Sequence, residues 1–135
     1  MITDAAGVPL AGHVTAANVN DVTHALPLLV DLPRVGGARG APRWRPDELL
    51  ADKGYDCQPL RELVAWLGIK PRMARRKQPT AGLGRQRWPV ERTLSWLHQF
   101  RRLRTRYDRL ESVHQAFLDL AMSLICLRRL QQRFC

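Results

Sequence analysis

The stretch from Arg87 to Leu103 reads R-W-P-V-E-R-T-L-S-W-L-H-Q-F-R-R-L, and its apolar residues recur three and four positions apart. This spacing predicts an amphipathic helix. The inner stripe comprises Val90, Leu94, Leu97 and Leu103. A second face carries Glu91, Ser95, His98 and Arg102. The predicted helix therefore presents one carboxylate, Glu91, among several arginines.

A second acid stands 39 residues earlier, where Asp52 follows the apolar run Leu49-Leu50-Ala51 and precedes the turn Lys53–Asp56. Residues 47–52 read as a short buried strand that ends at Asp52. Carboxylates from separate elements are the ligands that hard cations prefer. Two such ions bridge carboxylate and phosphate oxygens, activate one oxygen for attack and stabilise the leaving one.

Each acid also has a plainer interpretation. Asp52 would simply begin a turn, and Glu91 would form a helix ion pair with Arg87. The basic surroundings favour a site for phosphoryl transfer on nucleic acid when both acids are taken together. Such a site needs about three acids, and the third is missing from these two motifs.

Charge is unevenly distributed along the chain, whose formal net charge is +10. Residues 70–109 hold thirteen Lys or Arg and only two acids. This block suits a polyanion, so nucleic acid is the expected partner. No apolar run reaches the ~20 residues of a membrane span, and residues 1–4 do not open a signal peptide.

The 135 residues and 45% apolar content indicate one folded domain, with a core over 1–110 and a C-terminal helix over 111–135. The three cysteines show no ligand or disulfide pattern, which predicts reduced thiols in the cytoplasm. The four histidines are scattered, so a zinc site is not expected.

Local patterns predict a mixed α/β fold, with helices on both faces of one sheet. Two hairpin-connected strands open the chain, and Asp4 is expected in the turn between them. Two further strands are expected, the second at an edge because of Pro71. The predicted strands are 1–4, 8–16, 47–52 and 69–74. The predicted helices are 22–32, 58–67, the stretch from residue 90 to 103 and one from Ser112 onward, with basic loops over 34–46 and 75–86. Ser112 is expected to cap the last helix, and an apolar face is expected along its whole length.

Four tryptophans are candidates for stacking on bases. Trp66 and Trp96 lie within predicted helices, so we expect them in the core. Trp88 lies beside Arg87 and Glu91, and we expect it to contact a frayed or flipped base. Asp56 is expected to cap the helix that begins near Gln58.

Three motifs together resemble the bacterial insertion-sequence transposases of the DDE class, in the IS-five/IS-four-like superfamily. They are Asp4–Ala11 with Val14–Asn18 and Asp21, then Ala51–Asp56, then Arg87–Arg92 with Trp96 and Phe100–Leu103. The resemblance covers residues 4 to about 130. It is strongest to the subgroup whose reading frame is split in two, of which this chain resembles the downstream product.

The resemblance implies a ribonuclease-H-like mixed sheet with flanking helices, two Mg²⁺ or Mn²⁺ ions, and DNA cleavage and strand transfer at element ends. Asp52 corresponds to the second catalytic acid and Glu91 to the third. The DNA-contacting residues it implies are Arg87, Trp88, Arg92, His98, Arg101, Arg102 and Arg104. Expected partners are DNA, further copies of the protein on DNA, and the upstream-frame product. The expected location is the bacterial cytoplasm, with the nucleoid.

The sequence departs from the family pattern in two places. Around the glutamate, Gly84 replaces a usual tyrosine and His98 a usual lysine. The first catalytic aspartate belongs to a strand upstream of residues 1–10, so we expect that strand to be lacking. Asp4 reads as a turn residue and Asp21 as a helix cap, and neither is expected to replace it.

Two other interpretations remain open. The chain would act as a non-catalytic DNA-binding remnant that regulates transposition, or it would be a decayed reading frame without a selected function. Retention of Asp52, Glu91 and their local motifs favours the catalytic interpretation, with activity that depends on the upstream aspartate.

Overall fold

A computed structural model describes residues 1–36, 40–73 and 83–134, without the side chains of residues 83–87 and 133–134. The predicted loop 75–86 falls mostly outside these ranges, as do Ala74, Cys135 and the side chains of Leu83 and Arg87. The described part is mixed α/β, as predicted. It groups into two compact units, Met1–Ala17 with Arg87–Cys135, and Asn18–Gln86.

In the first unit, strands β1 (Ile2–Thr3) and β2 (Pro9–Ala11) form the predicted antiparallel hairpin. Asp4 shapes the turn between them, because its Oδ1 accepts hydrogen bonds from the amides of Ala6 and Val8 at 2.9 and 2.7 Å. The turn role predicted for Asp4 is thus confirmed. β2 is shorter than the predicted strand 8–16 because no ladder continues beyond Ala11 in the described chain.

Three helices complete this unit: α3 (Leu83–Leu97), which belongs to it from Arg87 onward, α4 (Arg101–Arg104) and α5 (Glu111–Phe134). The prediction of one helix through Leu103 was wrong. Phe100, the N-cap residue just before α4, takes an extended conformation (ψ 111°). This break in the helix means that Arg102 does not continue the helical face of Glu91. Leu83–Gln86, predicted as loop, are helical, and Ser112 lies inside α5 rather than capping it.

The core of this unit lies between α3 and α5 and is made by Leu97, Leu118, Ala121 and Ile125. The half-buried Trp96 and Phe100 pack against it. The apolar face predicted along α5 is largely exposed instead: Leu120, Leu127 and Leu130 are each more than half exposed. The core uses Leu118, Ala121 and Ile125 because that side of α5 meets α3 and the hairpin.

Hydrogen bonds join α5 to the hairpin segment. The Gln115 side chain donates to the Gly12 carbonyl and accepts from the Val14 amide, both at 2.8 Å. The Arg129 guanidinium donates to the Ala6 carbonyl at 3.1 Å. These bonds tie the two distant stretches of chain in the first unit together.

The second unit begins with a 3-10 turn (Asp21–His24) that leads into helix α1 (Ala25–Val30). The predicted helix 22–32 is thus divided and shorter. Pro27 explains the division, because it has no amide to continue α-helical bonding to the preceding turn. Asn20, rather than Asp21, caps the turn, and its side chain accepts from the Val22 amide at 3.1 Å.

Strands β3 (Glu48–Ala51) and β4 (Lys70–Met73) form a parallel pair joined by helix α2 (Gln58–Trp66). β3 was predicted to be buried, but Leu50 is 37% exposed and Glu48 is exposed. Glu48 forms ion pairs across the strands with Lys70 and Arg72, at 3.1 and 3.0 Å. These pairs lower the pKa of Glu48, Arg72 contributing most.

Two further predictions about α2 were wrong. Cys57, rather than Asp56, occupies the cap position of the helix. The Asp56 carboxylate accepts a hydrogen bond from Arg61 at 2.6 Å. Arg61 also donates to the Met73 carbonyl at 2.9 Å and so links α2 to β4. Trp66, expected in the core, is 81% exposed because it lies on the outer side of α2.

The described strands form two separate two-stranded sheets rather than the single sheet predicted. The antiparallel pair belongs to the first unit and the parallel pair to the second. Throughout the described ranges, each helix is too short or too polar to cross a membrane.

Candidate active site

Asp52 lies at the point where β3 ends and a 3-10 turn over Lys53–Tyr55 begins. Its Oδ1 accepts a hydrogen bond from the Lys53 amide at 2.7 Å, which orients the carboxylate at the strand end. The side chain is exposed. The Asp52 carboxylate therefore stabilises the turn and is also accessible to a ligand.

Asp21 belongs to the same unit as Asp52, and the 3-10 turns that carry the two acids contact one another. Tyr55 lies near both acids: burial raises the pKa of Tyr55, and the negative charges of Asp21 and Asp52 raise it further. The second unit thus has two acids beside one half-buried phenol. The sequence had suggested a capping role for Asp21, with a position near the site as the less favoured alternative.

Glu91 lies in α3 and is exposed. The next two residues turn inward: Arg92 is half-buried and Thr93 is fully buried. Glu91 therefore projects from a helix whose opposite side is fixed to the rest of the first unit.

Thr93 makes the innermost of these contacts. Its hydroxyl donates to the Gly7 carbonyl oxygen at 2.5 Å and lies 2.9 Å from the Pro89 carbonyl oxygen. A buried hydroxyl requires such partners, because leaving it unsatisfied costs about 1–3 kcal/mol. Thr93 thus fastens α3 to the hairpin turn.

Arg92 makes the second contact. Its guanidinium lies 4.2 Å from the centroid of the Trp88 ring and 4.8 Å from that of Trp96, and it donates to the Ala6 carbonyl. Its Nε atom is buried without a hydrogen-bond partner among the described residues. Cation–π contacts with two indole rings offset part of that cost.

Gly7 makes both contacts feasible. Its φ of +74° lies in the left-handed region, which glycine adopts without a steric penalty. A Cβ atom built there would lie 2.8 Å from Arg92 Nη2 and 3.0 Å from the Pro89 carbonyl oxygen. We refer to Gly7, Arg92 and Thr93 as the turn clamp.

The structure gives the predicted DNA-contacting residues different environments. His98, Arg101 and Arg104 are exposed at the end of α3 and on α4. Arg102 is 3.7 Å from Asp108 and lies 5.5 Å from the centroids of the Tyr107 and Phe117 rings.

The others lie nearer to Glu91 in the sequence. Trp88 is 55% exposed and is stacked by Arg92, so Arg92 is engaged within the chain. The side chain of Arg87 lies outside the described residues. The exposed arginines of α4 are therefore the strongest candidates for phosphate contact.

The two acids lie in different units, Asp52 in the second and Glu91 in the first. Within residues 1–36, 40–73 and 83–134, no three His, Cys, Asp or Glu side chains assemble into a metal-binding group. No sequence pattern indicated the turn clamp, because the contact of Gly7 with Thr93 depends on tertiary packing of the turn against the helix.

The chain matches the family described as "Transposase DDE domain" over residues 1–126. It belongs to that family, and the resemblance noted in its motifs is confirmed. It is also 49% identical over 136 residues to a Burkholderia cepacia protein named "Putative transposase for insertion sequence element IS402". The match covers 98% of this chain and 64% of that relative. No solved structure matches the chain.

Proposed function

We propose that this chain is the catalytic part of a transposase that cleaves DNA strands at insertion-sequence ends and transfers them to new sites. One observation carries the proposal: in a DDE-family chain, Asp52 is exposed at a strand end and Glu91 is exposed on a helix that the turn clamp fixes. We infer from the resemblance of their motifs to those of the family that Asp52 is the second catalytic carboxylate and Glu91 the third.

The fold proposed is a single ribonuclease-H-like domain over residues 1–135 whose first strand and aspartate come from upstream sequence. The mixed α/β content of the described residues supports this fold class. The relative's greater length, of which this chain spans 64%, leaves room for that strand.

The donor chemistry of Asp52 and Glu91 fits a divalent ion, since both are exposed carboxylates and Mg²⁺ and Mn²⁺ favour oxygen ligands. These two residues would hold the ions, with the upstream aspartate as the third acid. When bound, a pair of such ions supplies an activated hydroxyl and stabilises the leaving oxygen.

The remaining steps belong to the chain's own residues. Arg101 and Arg104 would bind backbone phosphates on either side of the cleaved bond, because exposed guanidiniums pair well with phosphate oxygens. The turn clamp would hold the part of α3 that carries Glu91 in a fixed position against the hairpin turn. Self-association on DNA remains a prediction.

The decisive experiment is a nicking and strand-transfer assay with Mn²⁺ on DNA that carries the element ends. It compares this chain with a version extended through the upstream reading frame. We expect activity only in the extended form. Activity in the short chain would mean that Asp21 or Asp4 completes the site, and inactivity of both forms would contradict the proposal.

A second candidate function is DNA binding without catalysis, as a regulator of transposition. The exposed arginines of α4 favour it, since they need no third carboxylate to bind phosphates. DNA binding by both forms, with cleavage by neither, would establish this function instead.

Replacing Arg101 and Arg104 together by alanine should weaken DNA binding and make it less dependent on salt. The slope of log K against log [salt] is negative, and each lost phosphate contact should reduce its magnitude by about 0.9. Fluorescence anisotropy with labelled duplex, measured over a range of salt concentrations, gives this slope. Arg34→Ala, an exposed arginine outside α4, is the matched control. An unchanged slope in the double variant would contradict the assignment of α4 to phosphate contact.

A further inference from the structure

A recess of about 230 Å³ lies between α5 and the end of α3, within the first unit. Trp96, Gln99 and Phe100 form one side of it. Arg128, Arg129 and Gln132 form the other side, with Ile125 between. Trp96 and Phe100 belong to the motif around Glu91, whereas Ile125, Arg128, Arg129 and Gln132 lie on α5, outside every motif described above.

The polar groups of the recess are nearly all hydrogen-bond donors or can act as donors. Arg128 and Arg129 each present a guanidinium, Gln99 and Gln132 each present a carboxamide, and Trp96 carries an indole N–H. Among the described residues, those that line the recess include no acid. Such a set favours an anion with several acceptor oxygens.

Arg129 is held in place before any ligand arrives. Its guanidinium donates to the Ala6 carbonyl at 3.1 Å and lies 5.3 Å from the centroid of the Trp96 ring. Arg128, Gln99 and Gln132 are exposed at the rim. One cation of the recess is thus fixed, and the other groups are accessible to a ligand.

The floor of the recess is apolar. Ile125 is 4% exposed, and Phe100 is half-buried against the same core. A bare inorganic anion would make no use of this floor, whereas a sugar attached to a phosphate would cover it. Donors at the rim with an apolar floor suit a phosphate joined to deoxyribose.

We propose that this recess binds one phosphodiester of the DNA backbone, with the phosphate at Arg128 and Arg129 and the adjoining deoxyribose over Phe100 and Ile125. The identity of the polyanion rests on the proposed function. The recess would extend the DNA path from α4 onto α5, and it would add a contact that the sequence motifs do not include.

The test is an NMR titration of the full chain with the dinucleotide dTpdT, followed through side-chain N–H signals. We expect saturable shifts of the Gln99 and Gln132 carboxamides and of the Arg129 Nε–H. Thymidine, which lacks the phosphate, should produce much smaller shifts. Absence of shifts with dTpdT, equal shifts with thymidine, or inorganic phosphate that binds as tightly as dTpdT would each overturn the proposal.

Arg128→Gln provides the variant, because Arg128 is exposed and its loss should leave the fold intact. We expect dTpdT to bind about tenfold more weakly, as for loss of one charge-assisted contact. Arg34→Gln removes the same charge outside the recess and should bind dTpdT like the unmodified chain. Equal weakening in both variants would show a general charge effect and would overturn the proposal.

This result is separable from that of the cleavage assay. If the extended chain cleaves DNA but dTpdT does not shift the recess signals, only the recess proposal fails. If dTpdT binds as expected and neither form cleaves, only the catalytic proposal fails.

Discussion

Glu91→Gln is expected to lower the rate of DNA cleavage by the upstream-extended chain by roughly a hundred- to a thousandfold, the range found when one preorganised electrostatic group is removed. The amide has almost the same shape as the carboxylate but carries no charge, so it binds a divalent ion poorly. Since Glu91 is exposed, the substitution should leave the fold and DNA affinity unchanged. Single-turnover cleavage with Mn²⁺ measures the rate.

Two comparisons make this prediction specific. Asp52→Asn should cause a loss of similar size, and asparagine retains an oxygen that can accept from the Lys53 amide. Glu62→Gln, at an exposed glutamate of α2, should cleave normally. If Glu91→Gln lost DNA binding or unfolded at lower temperature, Glu91 would be a structural residue and the catalytic assignment would fail.

Gly7→Ala is expected to lower the free energy of unfolding by about 2–4 kcal/mol. A left-handed conformation at an L-residue costs roughly 1–2 kcal/mol. The new methyl group would also approach Arg92 Nη2 to 2.8 Å and the Pro89 carbonyl oxygen to 3.0 Å. The arginine end can move aside, but the helix backbone at Pro89 yields less. Urea unfolding followed by tryptophan fluorescence measures the change.

Two other glycines separate the causes of this effect. Gly40 also has a positive φ, +100°, but no atom of the described residues lies within 4 Å of its would-be Cβ atom, so Gly40→Ala should show the conformational cost alone. Gly54 has open space and no positive φ, so Gly54→Ala should change stability little. A Gly7→Ala effect no larger than that of Gly40→Ala would mean that contact with α3 contributes nothing.

Several elements were predictable because their signals are local. The hairpin follows from Asp4 and the glycine turn, α2 from its proline start and Gly68, and α5 from its long apolar periodicity. The family assignment likewise rested on short motifs, Ala51–Asp56 and Arg87–Arg92, which need no knowledge of packing. The positions of Asp52 at a strand end and Glu91 on a helix followed from the same motifs.

The wrong predictions concern tertiary contacts and burial. Periodicity located an apolar face on α5 but could not tell that Leu118, Ala121 and Ile125 would be buried while Leu120 and Leu127 remained exposed. Similarly, arginines near Glu91 appear equivalent in the sequence. Only the structure separates Arg92, which stacks between indoles, from Arg101, which is exposed.

The first unit is assembled from residues 1–17 and 87–135, so its contacts join residues that the ribosome synthesises at widely different times. Gln115 binds Gly12 across 103 positions, and Arg129 binds Ala6 across 123. At ~5–20 residues per second, the hairpin would leave the ribosome on the order of ten seconds before α5 exists. During that interval its apolar side has no helix to cover it. A nascent chain stalled before α5 should therefore bind chaperones through the hairpin segment and release them once α5 emerges.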